Sequence, residues 1–464
     1  MLYKIEKRPG ELILEDNLLE FIEAFNMRAT TFKEYDSYYE GKNVEILARN
    51  IVDRKGQASG VPDNKIPVSY ARKIVQTVVG YEFKPGSLTY NIEDEQAKEE
   101  VNDIFSKNNE PIKNAKIGRY MSSHGVAYEL HYLSNRDVPA QEMGETVQPR
   151  FTVIDPAEIF IIYNYAIEPE KIAAVRVRNQ GKMVFVDVYY PQVIIHYEMR
   201  RDKQNQKKKL VKISEEINFY GQVPVIEYHN NDDNIGDWQP AKKLIDANDV
   251  LMSDSMNEFE RFAWAYLLIS GMSLENEDAQ KIKHRRIFDQ LDSGDAVKFL
   301  TKDINKEFIQ FMTDWTTKEI HKQTFIPDIE ALQFGSAASG VTLEKFIYMI
   351  EFVASPKEAY FKEGIMERFE LLNAIKTEGN KIELTENDIV MIRNTPQSDK
   401  ENGEVFNMYH GKISTETLIK EFAPFVDNVE EEMERIEEEK DSQINFLETE
   451  TEEEEQEETE EIEG

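Results

Sequence analysis

Apolar residues in the second half of the chain recur at the spacing of an α-helix over unusually long stretches. Between Ile245 and Tyr266 they step by 7, 4, 3, 4 and 3 residues, which places them on one helical face. A second stripe, from Ile304 to Trp315, steps by 4, 3 and 4 residues. A third long helix is predicted to begin near Thr342. A helix of about 28 residues spans about 42 Å, and helices of that length often pack against copies of themselves.

The sequence also predicts where these helices begin, end and bend. The first helix is predicted to run from Pro240 to Ser270, and a short strand is predicted at Ala296–Leu300 before the second helix. The segment Gly335–Gly340 consists of small residues and is predicted to be a flexible loop. Pro356 lies inside the third helix and has no backbone N–H to donate, so we expect a bend near Ser355.

The first half of the chain combines helices with strands. Helical spacing predicts helices at 17–32, 69–79, 96–105 and 112–120, with a turn-prone stretch at 35–41 and a loop at 56–67. β-Branched and aromatic residues predict strands at 151–154, 159–163, 174–178, 183–190 and 223–228. Because short turns separate most of these strands, we expect an antiparallel meander rather than βαβ units. A strand at 389–392 and a helix at 415–422 complete an α+β, mainly helical pattern.

The charge of the chain is strongly acidic and unevenly distributed. The 464 residues include 89 acidic and 55 basic ones, which gives a net charge of −34. From about Glu448 the sequence is Glu-rich and is predicted to be disordered. A sequence-specific DNA-binding protein usually shows a basic face. The only basic triplet, Lys207–Lys209, is expected to be a solvated loop.

Other sequence features restrict the location and the chemistry of the protein. Cysteine is absent, which excludes disulfides, a cysteine nucleophile and a zinc site built on thiolates. The first twenty residues show no apolar secretion signal. The longest apolar run, Phe262–Ile269, would span about 12 Å as a helix, whereas a bilayer core is about 30 Å thick. We therefore expect a soluble, intracellular protein.

No group of residues in the sequence indicates catalysis. The histidines show neither HExxH spacing nor a Cys/His cluster, so we interpret each as a structural or surface residue. They are His124, His131, His196, His229, His284, His321 and His410. Gly335–Gly340 has the GxxxxG outline of a phosphate-binding loop, but Val341 stands where the lysine would be. We predict no catalytic residue, no metal site and no cofactor.

Five groups of motifs follow one another between residues 60 and 430. They are Asp63–Ala71 with Val79–Tyr81, Gly221–Glu227 with Asn230–Asn231, Leu244–Asp249 with Ser253–Asp254, Ser339–Val341, and Asn394–Gln397 with Gly411–Thr417. Their order resembles that of the portal proteins of tailed double-stranded DNA phages, and the most similar type is that of siphophages infecting Gram-positive bacteria.

The resemblance implies a portal fold with wing, stem, clip and crown parts and no catalytic activity. Carried over to this sequence, it implies the following division: a wing of helices and antiparallel strands at 1–239, stem helices at 240–270 and 304–325, a small β-containing clip at 271–303, a tunnel loop at 326–341, a long kinked helix at 342–377, a helical crown at 378–429 and an acidic disordered tail at 430–464.

The resemblance also implies a function and a set of partners. Portal subunits form a ring, usually of twelve, at one capsid vertex, and double-stranded DNA passes non-specifically through the channel during packaging and ejection. The implied partners are the terminase large subunit, a head-completion or adaptor protein, and the major capsid and scaffolding proteins, with no membrane. Assembly would take place in the cytoplasm of the bacterial host, and the final location would be the virion.

The residues expected to meet DNA belong to the tunnel loop. They are Gln333, Phe334, Gly335, Ser336, Ala337, Ala338, Ser339, Gly340 and Val341. Nearby cations that could face the channel are Lys318, Lys322 and Lys345. An acidic body suits a channel wall, because strong neutralisation of phosphates would hold the DNA in place.

Two other interpretations of the sequence remain open. The chain could be an acidic helical adaptor or scaffolding protein without a channel, which predicts a particle of low mass. It could also be an enzyme with a phosphate site at Gly335–Gly340, which predicts nucleotide binding that is lost in Gly340→Val.

Overall fold

A computed structural model describes residues 3–51, 62–134, 148–201, 207–263, 266–270, 296–300, 306–328, 340–376, 381–395, 399–422, 426, 429 and 431–439. The chain divides into two compact units, Met1–Asn394 and Thr395–Gly464. The first unit contains both helices and strands, and the described part of the second unit is mainly helical. The α+β, mainly helical class is confirmed.

The first helix, α1 (Glu15–Tyr39), is longer than the sequence pattern predicts. The prediction of a turn-prone stretch at 35–41 is wrong, because the helix continues through most of it. The ring of Tyr38 stacks on Trp238 with centroids 5.0 Å apart, and Tyr35 meets the same indole edge-on at 5.6 Å. This packing keeps an aromatic, turn-prone sequence helical.

Four shorter helices follow: α2 (Val44–Ala48), α3 (Tyr70–Glu82), α4 (Glu95–Asn108) and α5 (Glu110–His124). The last three confirm the predicted helices, each extended by a few residues. Gly125 ends α5 with φ of 85°, and a Cβ atom there would lie 2.0 Å from the carbonyl oxygen of Asn234. Only glycine fits this junction between α5 and the strand that follows it.

The largest sheet has six strands in the order β1-β5-β6-β7-β8-β9. The strands are β1 (Tyr3–Lys4), β5 (Ile159–Tyr163), β6 (Lys171–Gln180), β7 (Met183–Tyr189), β8 (Val193–Arg201) and β9 (Lys208–Ile217). Strands β5 to β9 form an antiparallel meander, in which β5, β6 and β7 are predicted from the sequence and β8 and β9 are not. The predicted strand at 151–154 belongs to another sheet, since β4 pairs with β3. The prediction of a loop at Lys207–Lys209 is wrong for two of its residues, because Lys208 and Lys209 begin β9 and are held by its ladder with β8.

Two of the three smaller sheets in the described part of the first unit join strands that are far apart in the chain. One has the order β10-β3-β4, formed by β10 (Val225–His229), β3 (Val126–Ser134) and β4 (Gln148–Ile154). In the other, β2 (Leu88–Tyr90) pairs with β13 (Ile389–Met391), so residues 300 positions apart meet in one ladder.

The long helices of the second half are α6 (Lys242–Ala263), α7 (Lys306–Thr324) and α8 (Gly340–Ala374). The prediction that the first of them continues to Ser270 is wrong. Strand β11 (Tyr266–Ser270) follows α6 and pairs antiparallel with β12 (Ala296–Leu300), the strand that the sequence does predict. A short apolar run fits a strand as well as a helix, and here a pairing partner decides the outcome. Helix α8 continues through Pro356 without interruption.

The second unit contains α9 (Asp399–Tyr409), which the sequence pattern does not predict, and α10 (Thr415–Phe422), which it does. Residues 431–439 form a further helix, α11. The prediction of a disordered tail starting at residue 430 is therefore wrong for its first part. Arg435 pairs with Glu431 at 2.7 Å one helical turn away, a spacing that stabilises helices. Residues 440–464 lie outside the described part.

Candidate functional site

The predicted tunnel loop lies between α7 and α8. Gln333, Phe334, Gly335, Ser336, Ala337, Ala338 and Ser339 lie outside the described residues, and Gly340 and Val341 are the first residues of α8. Lys345 lies in the first turns of the same helix. Lys318 and Lys322 are exposed on α7, and Lys322 pairs with Glu319 at 3.3 Å. The structure therefore does not test which of these lysines would face a channel.

The chain is fixed firmly where it leaves α7 towards this loop. Phe325, directly after the helix, has a positive φ of 56°, which costs a non-glycine residue about 1–2 kcal/mol. His321 donates from Nδ1 to the carbonyl oxygen of Ile326 at 2.9 Å, and Lys73 of α3 pairs with Asp328 at 3.1 Å. The entry to the loop is thus tied to both α7 and α3.

The two sides of the loop share one apolar cluster. Ile320 of α7 and Ile326 are buried together with Ile350 and Ala354 of α8 and with Ile245 of α6. Because the three long helices meet in this cluster, the two ends of the loop are held at fixed positions relative to the start of α6.

Helix α6 is joined to the segment at 64–68, which belongs to no helix or strand, by a regular series of hydrogen bonds. The backbone N–H groups of alternate residues, Asn64, Ile66 and Val68, donate to side chains one helical turn apart on α6. The acceptors are Asn257 Oδ1 at 2.7 Å, Ser253 Oγ at 3.0 Å and Asp249 Oδ1 at 2.9 Å. Two residues of extended chain rise about 6.6 Å and four helical residues about 6 Å, so the two repeats match.

This series connects two of the motifs on which the family resemblance rests. The segment Asp63–Ala71 supplies the donors, and Asp249 and Ser253 from the motifs of α6 supply two of the three acceptors. Sequence reasoning missed their role, although polar residues at 249, 253 and 257 repeat every four positions. That repeat is the signal that could have revealed it.

The N-terminal half of α6 is held by a polar cluster as well. Asn43 donates to Asp249 at 2.7 Å and to Asp246 at 3.2 Å, and Tyr38 donates to Asp246 at 2.5 Å. Burial raises the pKa of Asp249 to about 6, against the lowering effect of its hydrogen bonds from Asn43 and Val68. Lys242 pairs with Glu34 of α1 at 3.1 Å. The start of α6 is therefore rigidly attached to α1 and the segment before α3.

Helix α8 carries a buried ionic centre directly after its proline. Lys357, fully buried, lies 2.5 Å from Asp237 Oδ2 and 3.6 Å from Glu82 Oε2. Neither carboxylate oxygen of Glu82 accepts a hydrogen bond from the residues that the structure describes, and burial raises its pKa to about 8. Arg393 lies 3.8 Å from Glu82 and pairs with Glu351 at 2.9 Å. This group is called the Lys357 centre below.

Three turns further along α8, a second ionic centre is fully paired. Arg368 donates through Nε and Nη2 to the two oxygens of Glu129, at 2.9 and 2.7 Å, and Nη2 also donates to Asn114 at 3.0 Å. His131 Nε2 lies 2.8 Å from the same carboxylate. Against the effect of burial, Arg368 and His131 lower the pKa of Glu129 to about 2. This group is called the Arg368 centre.

The helices α6 and α7 also expose a row of large apolar side chains, the apolar stripe. Its members are Met256, Phe259, Phe308, Phe311 and Trp315, with exposed fractions between 42% and 65%. Exposed apolar patches on a protein surface often mark contacts with other proteins. The stripe is therefore a candidate contact surface for another protein chain.

The structure bears on the metal and membrane predictions only for the described residues. Among those residues, no group of three His, Asp or Glu side chains is arranged to hold a metal ion. No helix in the described ranges is long and apolar enough to cross a membrane. His124, His131 and His321 are buried and take part in packing or hydrogen bonds, whereas His284 lies outside the described part.

Comparisons with known proteins identify the class. The family model "Phage portal protein, SPP1 Gp6-like" matches residues 18–445. The portal protein of Clostridium phage phiCD119 is 25% identical over 92% of this chain and 96% of its own length. The portal protein of Bacillus phage SPP1 is 24% identical over 76% of this chain and 71% of its own length. A solved chain from the neck of an empty GTA particle has a TM-score of 0.44 at 12% identity, over 76% of this chain and 88% of that one.

These matches define a structural protein of the phage particle rather than an enzyme, as the sequence motifs predict. The chain belongs to the SPP1 Gp6-like family of phage portal proteins.

Proposed function

We propose that the protein assembles into a dodecameric ring at one vertex of a phage capsid and that its channel carries DNA during packaging and ejection. The apolar stripe is the observation that supports this proposal most directly. Phe308, Phe311 and Trp315 are spaced by three and four residues on α7, and each is at least 44% exposed in the single chain. A neighbouring copy packed along this helix would remove them from water, and repetition of one such heterologous contact forms a ring when its rotation closes.

The family parts would then be distributed as the motif order implies. The wing comprises 1–239, the stem α6 and α7, the clip 271–303 with the paired strands β11 and β12 at its base, and the crown 378–429. The clip would receive the terminase and later the head-completion protein. The capsid and scaffolding proteins would surround the ring during assembly in the host cytoplasm.

The loop at 326–341 would follow the DNA in the channel. Its entry is fixed by the hydrogen bond from His321 to Ile326 and by the ion pair between Lys73 and Asp328. Small residues at its centre suit contact with a helical substrate without reading its bases.

The ring proposal is tested by introducing charge into the stripe. In Phe311→Asp/Trp315→Asp, two carboxylates would have to be buried at the subunit contact, which is costly without partners. We expect mass photometry to find rings for the natural chain and mainly single subunits for this variant. Tyr165→Asp is the matched control, because Tyr165 is 65% exposed and lies between β5 and β6. Rings of the double variant at natural yield would exclude the stripe as the contact.

The conduit proposal is tested by Gly340→Pro. Proline is tolerated at the first position of a helix, whereas it restricts the residue before it. We therefore expect normal rings but a loss of packaged DNA, measured as nuclease-protected genome per procapsid. The control is Gly80→Ala in α3, because an added Cβ atom at Gly80 would meet no heavy atom within 4 Å. Normal packaging by Gly340→Pro would contradict the role of the loop.

A further inference from the structure

The hairpin formed by β8 and β9 carries a concentration of positive charge on an otherwise acidic protein. Its described residues from 198 to 201 and from 207 to 212 include six basic side chains and one acidic one, Glu198. The six are Arg200, Arg201, Lys207, Lys208, Lys209 and Lys212, and all are exposed. They are called the basic hairpin. The whole chain, in contrast, has a net charge of −34.

The register of the hairpin places like charges directly opposite each other. Arg200 pairs with Lys209 across the ladder, and Arg201 pairs with Lys208. Side chains in such positions have Cβ atoms about 4.5–5.5 Å apart, and like charges there destabilise the sheet. Repulsion between these like charges destabilises the hairpin, and binding of an anionic partner would relieve it.

Acidic residues of the protein neutralise only part of this charge. Arg200 pairs with Glu198 at 2.5 Å, Lys212 with Glu215 at 2.5 Å and Lys208 with Glu23 of α1 at 3.3 Å. Arg201 and Lys209 form no ion pair with the residues that the structure describes. These two cations come from different strands and from different cross-strand pairs, so the unneutralised charge lies on both faces of the hairpin.

The hairpin also extends past its neighbour in the sheet. Met199 is the last residue of β8 that pairs with β7, whereas the pairing of β8 with β9 continues to Arg201 and Lys208. Its end is therefore a two-stranded ribbon. A ribbon of this width fits the major groove of B-DNA, which is about 12 Å wide. Cations on its two faces can then reach phosphates on both sides of a groove.

We propose that the basic hairpin binds the phosphate backbone of double-stranded DNA, without sequence preference, at a surface separate from the channel. An acidic protein segment would need one row of cations on one face, whereas the charges here are divided between two faces of a narrow ribbon. The inference rests on the proposed function, since that function brings the ring into contact with DNA. It adds an attachment point to a protein whose acidic body otherwise repels the polymer.

The test uses the purified full-length protein and a covalently closed, relaxed circular DNA, which cannot thread a closed ring. Binding is measured by electrophoretic mobility shift from 50 to 200 mM NaCl. Each phosphate contact contributes about 0.9 to the slope of log K against log salt. We expect Arg201→Gln/Lys209→Gln to reduce that slope by about 2. The charge-preserving variant Arg201→Lys/Lys209→Arg should keep the slope.

The matched control removes two other exposed lysines, in Lys98→Gln/Lys107→Gln on α4. An equal loss of binding in this control would overturn the inference, because it would show that any positive charge suffices. No binding of the circle by the natural protein would also overturn it, as would binding of a glutamate-rich peptide in place of DNA. Electron micrographs of the same samples score ring formation, so rings without DNA binding refute the hairpin alone and leave the proposed function standing.

Discussion

The Lys357 centre and the Arg368 centre lie three turns apart on α8 and differ in how completely their carboxylates are paired. Arg368 meets both oxygens of Glu129 within 2.9 Å, whereas Glu82 has its nearest cationic nitrogens at 3.6 and 3.8 Å. Both carboxylates are fully buried. Their pKa values consequently move in opposite directions, to about 2 for Glu129 and to about 8 for Glu82.

Burial alone therefore does not decide the charge of a carboxyl group. Two charge-assisted hydrogen bonds from one guanidinium hold Glu129 ionised. Without a hydrogen bond from the described residues, Glu82 keeps a proton in the neutral range. The Arg368 centre is a permanent ionic contact between α8 and β3, and the Lys357 centre changes its charge near physiological pH.

The largest effect is expected from removing Arg368. In Arg368→Leu the buried carboxylate of Glu129 loses its partner, which typically costs about 3–5 kcal/mol of the free energy of unfolding. Urea unfolding followed by circular dichroism measures the loss. Arg368→Lys should recover only part of it, because an ammonium group cannot make the paired contacts of a guanidinium.

The control for this measurement is Lys322→Ala. It removes an exposed pair with Glu319 and should change stability by less than about 1 kcal/mol. If Arg368→Leu were as mild as this control, the contrast between the two centres would be wrong.

A smaller effect, with a distinct pH dependence, is expected from Glu82→Gln. Between pH 4.5 and about 8 the folded chain keeps a proton on Glu82 that the unfolded chain has released. Stability should therefore fall with rising pH, by up to about 1.4 kcal/mol per pH unit. The glutamine variant should lose this dependence and be relatively more stable at pH 8 than at pH 6.

Glu129 gives a pH dependence of stability with the opposite sign in the same experiment. Its folded pKa of about 2 lies below the ordinary value of 4.5, so its contribution is complete above pH 4.5 and is lost as the pH falls towards 2. Identical pH profiles of the natural chain and Glu82→Gln between pH 5 and 8 would contradict the assignment of a proton to Glu82.

The sequence correctly predicts most of the helices and strands in which the spacing of apolar residues is clear. Strands β5, β6 and β7 and helices α3, α4, α5 and α7 are predicted within a few residues, because apolar spacing distinguishes helix from strand there. Strands β8 and β9 are not predicted from the sequence. The end of α6 is not predictable in this way, since Tyr266–Ser270 is a short apolar run whose strand partner lies 26 residues further along the chain. The extension of α1 depends on Trp238, two hundred residues away.

The candidate sites also differ in how much of them the sequence predicts. The motif order indicates the family, and the matching family model confirms it. The motif order does not reveal that the segment Asp63–Ala71 hydrogen-bonds to α6, because that contact joins residues about 190 positions apart. The basic hairpin was likewise hidden, since the charge of Arg200 and Arg201 joins that of Lys208 and Lys209 only through the register of β8 and β9.

The most direct test of the central claim, that this portal-family chain works as a ring, is electron microscopy of the purified protein with end-on views classified by rotational symmetry. We expect rings of about twelve subunits around an open centre. Particles of only one or two subunits at every concentration, with or without added scaffolding protein, would contradict it.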